Sequence, residues 1–217
     1  MNKKNNIGFL FDLDGVLIDS EKEYSKLWAQ VNHEYPTGIE SLEEKIKGTT
    51  LDMILTEHYP DPEIQKKVVK RLYEMEANMK YEYKDGAEEL LDEIIKREKP
   101  VALVTSSNDD KMKHLNDELP NLLDKFDVIV TANMITKSKP DPEGYNKAAQ
   151  ELGCIPEKCV VFEDSLQGVK AGNSSGAYVV GITGTLPEET LQPFSHCVVD
   201  TLLDFDLDGV IKILEDR

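Results

Sequence analysis

Two carboxylates, Asp12 and Asp14, stand at the end of the apolar run Ile7 to Phe11 and lead directly into Gly15. The run has the composition of a buried strand and the glycine that of a turn, so the carboxyl groups fall on a strand end. With an unperturbed pKa of ~3.9, both acids are anionic at neutral pH and repel one another unless a cation joins them. Mg2+ suits such a pair, because it takes oxygen ligands and keeps several waters. A second apolar run, Val16 to Ile18, follows and ends in Asp19-Ser20. A bare Asp-x-Asp-Gly is also an ordinary acidic turn, and the hexapeptide Phe-Asp-Leu-Asp-Gly-Val recurs at Phe205 to Val210. Its surroundings must give it meaning.

Other polar clusters follow apolar runs in the same way. Thr105-Ser106-Ser107-Asn108 follows Val101 to Val104, and Glu163-Asp164-Ser165 follows Cys159 to Phe162. Hydroxyls and amides at a helix start bind anions, and carboxylates at a strand end are oxygen donors. Lys139, in Ser-Lys-Pro-Asp-Pro, is a lysine that could compensate the charge of an anionic substrate locally, against the field of the acidic chain. Singly, each has a plainer reading: Ser and Asn cap helices, an isolated lysine is normally solvated, and a strand can end in acids. Collected at the carboxyl edge of one open parallel sheet, where ligands bind near a topological switch point, they form a site.

The elements that must position them follow from periodicity. Pro100 to Thr105, Asp127 to Thr131, Cys159 to Glu163, Ala177 to Ile182 and His196 to Val199 read as strands. Between them, helices are expected after Asp85 as cap, through Met112, Leu115 and Leu119, from Asp141-Pro142 to Leu152, from Ser165 to Ser175, and from Val210 to Leu214. Alternating helices and continuous apolar strands predict an α/β fold with a parallel sheet covered on both faces. Residues 21–79 are different, with apolar residues at helical spacing throughout. Tyr24, Leu27, Trp28 and Val31 mark one helix; Ile39, Leu42 and Ile46 a second, stopping at Gly48. Leu51, Ile54 and Leu55 mark a third, capped by Thr49 or Thr50, and Ile64 to Met79 a fourth, opened by Asp61-Pro62. A helical cap, residues 18–84, therefore interrupts a sheet core made of residues 1–17 and 85–217, with a two-stranded hinge between them.

The 217 residues suffice for one ordinary domain with a smaller insert, and 40% are hydrophobic. A formal charge of -17 argues against a nucleic-acid partner. The N-terminal apolar run is too short and too soon charged for a signal peptide or membrane span, so a cytoplasmic protein with no membrane partner is expected. Cys154, Cys159 and Cys197 form no Cys-x-x-Cys pair and read as reduced thiols. The four histidines lack a metal-ligand spacing. Asp204 to Glu215 satisfies the EF-hand loop pattern position by position. An EF-hand also needs a helix on each side, whereas Val210 to Leu214 reads as a helix begun inside the loop, with Phe205 and Leu207 as core contacts and an aspartate as its cap.

In order and context, the Asp-x-Asp-Gly turn, the Thr-Ser cluster, the Ser-Lys-Pro lysine and Glu163-Asp164 resemble the motifs of the haloacid dehalogenase superfamily, across Phe9 to Gly172. The resemblance implies a Rossmann-like open parallel sheet and an aspartyl-phosphate phosphohydrolase. Asp12 would be nucleophile and metal ligand, and Asp14 general acid and base, its carbonyl also on the metal. Thr105, Ser106 and Lys139 would hold the phosphoryl group. Asp164 would complete the Mg2+ site, with Glu163 behind it. The helical insert and Ile46-Lys47-Gly48-Thr49 resemble the β-phosphoglucomutase-like subfamily. Its mutases carry an arginine and a histidine where this chain has Leu51 and Tyr24, which favours hydrolase over mutase; Lys47 or Arg71 are possible substitutes for the arginine. A 2-haloacid dehalogenase also uses an aspartate nucleophile, but needs no such metal site. The expectation is a monomeric, Mg2+-dependent phosphomonoesterase for a small phosphorylated metabolite.

Overall fold

A computed structural model of the chain describes residues 6–46, 49 and 51–216. Its centre is β1 (Gly8–Phe11), all four residues of which are buried. Parallel neighbours flank it: β2 (Val101–Val104) on one side and β4 (Cys159–Glu163) on the other. The sheet continues to β3 (Val128–Val130) beyond β2, and to β5 (Tyr178–Ile182) and β6 (Cys197–Val199) beyond β4. The order β3-β2-β1-β4-β5-β6 reverses direction between β1 and β4. That reversal opens a crevice at the carboxyl ends of the two strands, the place where open α/β sheets bind ligands.

Successive side chains on a strand face opposite sides, so β1 seeds two cores. Phe9 and Phe11 pack on one face, with Phe11 stacked on Phe162 at 4.5 Å between ring centroids. That face is covered by α5 (Ala87–Lys96), α6 (Asp109–Glu118) and α10 (Leu207–Glu215). Leu10 turns the other way, towards α7 (Glu143–Leu152) and α8 (Leu166–Ser175). A short α9 (Glu188–Leu191), not legible from periodicity, closes that face through buried Leu191.

Between β1 and α5 come α1 (Glu21–Glu34), α2 (Leu42–Lys45), α3 (Leu51–His58) and α4 (Pro62–Glu76). They share a hydrophobic cluster of their own around Trp28, Val31, Leu42, Ile54, Val68 and Leu72. The two chain crossings run side by side: the Asp19 N–H donates to the Glu82 carbonyl at 3.0 Å, and the Lys84 N–H to the Leu17 carbonyl at 3.0 Å.

Several boundaries differ from the periodic reading. The second helix of the insert is only four residues long, because the Asn32 side chain binds the Ile39 carbonyl and the Thr37 hydroxyl and holds that loop out of helix. Its expected stop at Gly48, the Thr50 cap and Lys47 lie outside the described residues. The fourth ends at Glu76 rather than Met79. Gly86, not Asp85, precedes α5; its φ of +80° suits glycine, and a Cβ there would meet the Leu203 backbone. The closing helix begins at Leu207 inside the EF-hand-like stretch, and Asp206 caps it by accepting from the Gly209 N–H at 2.9 Å. Glu215, the end of that stretch, is thus the last residue of a nine-residue helix that starts directly after Asp206, and Phe205 and Leu207 are buried in the core.

Candidate active site

Asp12 leaves β1 at the sheet reversal, 8% exposed, and its Oδ1 accepts from Lys139 Nζ at 2.6 Å. Lys139 reaches in from the loop before α7 and also donates to Glu163 Oε1 at 2.5 Å and to the Val104 carbonyl at 3.3 Å. One ammonium therefore joins the ends of β1, β2 and β4. Glu163 is fully buried with both carboxylate oxygens engaged: Oε1 also accepts from the Tyr145 hydroxyl at 2.7 Å, and Oε2 from the Ser165 amide and hydroxyl at 3.2 and 3.0 Å. Asp164, 4% exposed, accepts a hydrogen bond from the Thr185 hydroxyl.

Oxygens of Asp12, Glu163 and Asp164 lie within 4.8 Å of one another. Burial raises Asp12 to about 7, Lys139 pulls against it, and the Glu163 charge adds to the rise. Asp164 is pushed well above the carboxylate range by burial, then by Glu163 and Asp12. Burial works to lower Lys139, but Asp12 and Glu163 outweigh it and its pKa rises. Three buried carboxylates against one ammonium is an excess of negative charge, which a cation would relieve. Because the oxygens of Glu163 are saturated, Asp12 Oδ2 and Asp164 Oδ1, which accept no hydrogen bond among the described residues, are the free donors. An all-oxygen set of this kind fits a hard divalent cation such as Mg2+.

The close approach of these groups depends on glycine. At Gly15, φ is +75° and an added Cβ would strike the Asp164 carboxylate; at Gly168, in the first turn of α8, it would strike Glu163.

Asp14 has separate partners. Its carboxylate accepts from Ser107 Oγ at 3.2 Å and from Lys111 Nζ at 2.7 Å (Oδ1) and 2.6 Å (Oδ2). Burial works to raise this acid, but the Lys111 charge, with hydrogen bonds from Lys111, Ser20 and Ser107, outweighs it and holds Asp14 below the usual range. Lys111 also donates to the Tyr24 hydroxyl at 3.0 Å, and that hydroxyl donates to Glu76 Oε1 at 3.1 Å.

Thr105, 3% exposed, follows β2, and its Oγ1 accepts from the Ser107 N–H at 3.0 Å. Ser106 is on the same loop, but α6 starts only after its cap Asn108, so Ser106 precedes the helix rather than sitting in its first turn. Asp12, Asp14, Thr105, Ser106, Lys139 and Asp164 all line one cavity of about 510 Å³. Glu163 lies behind it. The opposite wall comes from the inserted helices, through Trp28, Ile46, Leu51, Ile54 and Leu72. A separate, more open surface groove of about 770 Å³ along α3 and α4 contains none of these strand-end residues. Tyr24 lines the cavity, whereas Arg71 is paired with Glu34 at 2.9 Å, through both Nε and Nη2.

Lys111, Ser20, Glu76, Tyr145 and Thr185 were not legible as site residues. Tyr24 stood out only as a departure from the mutase pattern. Lys111 follows Thr105 within the same strand-to-helix segment, yet nothing in its neighbours distinguishes it from the exposed lysines around it.

This sheet order, with strand-end acids facing a helical insert, puts the protein in the class of open parallel α/β folds with an acidic site at the sheet reversal. Residues 9–182 match the family model described as haloacid dehalogenase-like hydrolase, and the chain belongs to that family. Among relatives, it is 32% identical over 192 residues to validoxylamine A 7'-phosphate phosphatase of Streptomyces hygroscopicus subsp. limoneus, covering 84% of this chain and 88% of that protein. It is 33% identical over 176 residues to the phosphorylated carbohydrates phosphatase of Thermotoga maritima, covering 77% of this chain and 80% of that one. The crystal structure of β-phosphoglucomutase from Clostridium difficile superimposes with a TM-score of 0.77 at 25% identity, over 97% of this chain and 98% of that one.

Proposed function

We propose that the protein is a Mg2+-dependent phosphomonoesterase for a small phosphorylated metabolite, working through an aspartyl-phosphate on Asp12. The observation that carries this reading is the division of the strand-end acids. Asp12 shares Lys139 with Glu163 beside Asp164, while Asp14 in the same cavity has its own partners. Two neighbouring carboxylates in different environments are suited to different tasks. The named relatives support the substrate class, since both are phosphatases and one takes phosphorylated carbohydrates.

In the proposed reaction the Thr105 hydroxyl, the Ser106 amide and Lys139 hold the phosphoryl oxygens. Asp12 attacks phosphorus, the bond to the ester oxygen breaks, and Asp14 gives that oxygen its proton. A water then gives a proton to Asp14 and attacks phosphorus, releasing inorganic phosphate and restoring the Asp12 carboxylate. Lys111 makes Asp14 anionic at rest, as the water-activating half requires; a bound phosphate dianion raises its affinity for the proton used in the first half. Asp12, the Asp14 carbonyl and Asp164 would hold Mg2+, which when bound supplies charge neutralisation on the phosphoryl oxygens. Glu163 fixes Lys139 from behind. Residues 18–84 act as a cap over a core of residues 1–17 and 85–217, and closure excludes bulk water.

Mutase chemistry requires a grip on a second phosphate. Leu51 in the cavity wall cannot supply one, and Arg71 is committed to Glu34. The test is phosphate release from a panel of sugar phosphates, nucleotides and 2-phosphoglycolate with and without Mg2+. Metal-dependent release without a bisphosphate activator is expected. Conversion of β-glucose 1-phosphate to glucose 6-phosphate faster than phosphate release, followed by phosphorus NMR, would overturn the hydrolase reading.

A further inference from the structure

Lys111 is nearly buried, its side chain 8% exposed, and all its ammonium hydrogens have partners: Asp14 Oδ1, Asp14 Oδ2 and the Tyr24 hydroxyl. Two of these acceptors belong to the sheet core. The third belongs to α1 of the insert, and the chain of hydrogen bonds continues through Tyr24 to Glu76 in the last turn of α4. The ammonium also lies 5.0 Å from the centre of the Tyr24 ring, within cation–π range. The Lys111 ammonium thereby joins the Asp14 carboxylate to the Tyr24 hydroxyl, and through that hydroxyl to Glu76.

A carboxylate at the end of a strand turn is free to rotate about its side-chain torsions. Here Ser107 and Lys111 hold both oxygens from the core side. Lys111 is itself held from the cap side, so the aim of Asp14 and the seating of α1 and α4 depend on one another. Separating the inserted helices from the core would remove one of the three acceptors that fix the ammonium.

We propose that Lys111 is a positioning residue that aims Asp14 at the leaving oxygen and, through Tyr24 and Glu76, links that aim to closure of the helical insert. The inference rests on the reading of Asp14 as proton donor to the leaving group. Lys111 and Tyr24 take no part in holding the phosphoryl group, and a substitution that keeps the Tyr24 ring leaves the cavity wall in place, so loss of the Lys111 ammonium or of the Tyr24 hydroxyl acts on the proton-transfer step.

The experiment measures the burst of leaving-group release under Mg2+, which isolates the first chemical step. It compares an alkyl phosphate, whose leaving oxygen needs a proton, with 2,4-dinitrophenyl phosphate, whose leaving group does not. Lys111→Met is expected to slow the alkyl substrate by about 10²-fold, in the range of general acid catalysis, with KM unchanged and the aryl substrate far less affected. Tyr24→Phe keeps the ring and removes the hydroxyl. It should show a smaller loss with the same selectivity, and adding it to Lys111→Met should cost nothing further, because the two act through one contact. Tyr24→Phe also answers the question if Lys111→Met fails to fold. Equal loss on both substrates, a raised KM with kcat intact, or no loss overturns the inference. Asp14→Asn separates it from the reading beneath: if that variant lacks the same selectivity while the wild type turns over, Asp14 is not the leaving-group acid.

Discussion

At the scale of single residues, strand-end acids with different neighbours should fail differently when replaced. Asp12→Asn is expected to keep the fold and lose turnover, since an amide cannot form the acyl-phosphate; release of p-nitrophenol from its phosphate ester is the measurement, and full activity would sink the nucleophile assignment. Asp164→Ala should weaken Mg2+ binding in calorimetry. Asp206→Ala, in the twin hexapeptide, should leave it intact and cost only the cap of α10, roughly 1 kcal/mol. Protons compete with the metal for the same oxygens. With Asp12 raised to about 7 in the metal-free protein, Mg2+ binding should release protons and weaken as pH falls through about 7. Titrations in buffers of different ionisation enthalpy would show that release. An affinity independent of pH between 6 and 8 would contradict it.

At the scale of elements, the site depends on how closely helix and turn backbones approach carboxylates. Gly168 lies in α8, where alanine ordinarily favours helix by ~1 kcal/mol. Here the added methyl would strike Glu163, whose oxygens orient Lys139. Gly168→Ala should therefore destabilise, opposite in sign to the helix propensity, and lower activity with it. A raised melting temperature with full activity would show that α8 can withdraw from β4 without disturbing the site. The same scale explains which elements were readable. Strands β1, β2, β4 and β5 are continuous apolar runs and α7 has a Pro start and a Gly stop, so their periods and punctuation are local. The four-residue α2 and α9 are set by contacts instead: Asn32 restrains the loop before α2, and Leu191 seats α9 in the core.

At the scale of the whole molecule, negative charge is the common theme. The chain has 42 acids against 25 Lys and Arg, and the cavity between core and insert repeats the imbalance in buried form. The insert also adds Glu76, half-buried and raised by burial, within reach of Tyr24. Asp12 and Asp164 bind protons more tightly folded than unfolded, so their contribution to stability is full below the unfolded value near 3.8 and is lost as pH rises through the folded ones, about 7 for Asp12. Lys139 and Lys111, raised above 10.5, contribute fully across pH 6 to 8, and Asp14, lowered, loses its contribution only in acid. The metal-free protein should accordingly be less stable to urea at pH 8 than at pH 6, with Mg2+ recovering the difference at pH 8. Equal stability at the two pH values in EDTA would count against the charge-crowded site. No helix among the described residues is long and apolar enough to cross a membrane.

The α/β class, the parallel sheet and the placing of Asp12, Thr105 and Asp164 on strand ends were determined by sequence alone, because each is a local pattern: an apolar run followed immediately by its polar terminus. Lys139 was readable for a related reason, its Ser-Lys-Pro setting just before a helix. The partners of those residues were decided only by tertiary structure. Glu163 reads as one more strand-end acid until Tyr145, Ser165 and Lys139 are seen to occupy both its oxygens. Lys111, Tyr24 and Glu76 come from three separate helices and form the hydrogen-bonded chain that ends on Asp14 through Lys111 only when the insert packs over the sheet. Periodicity records which face of a helix is buried; which buried groups then meet is set by long-range packing.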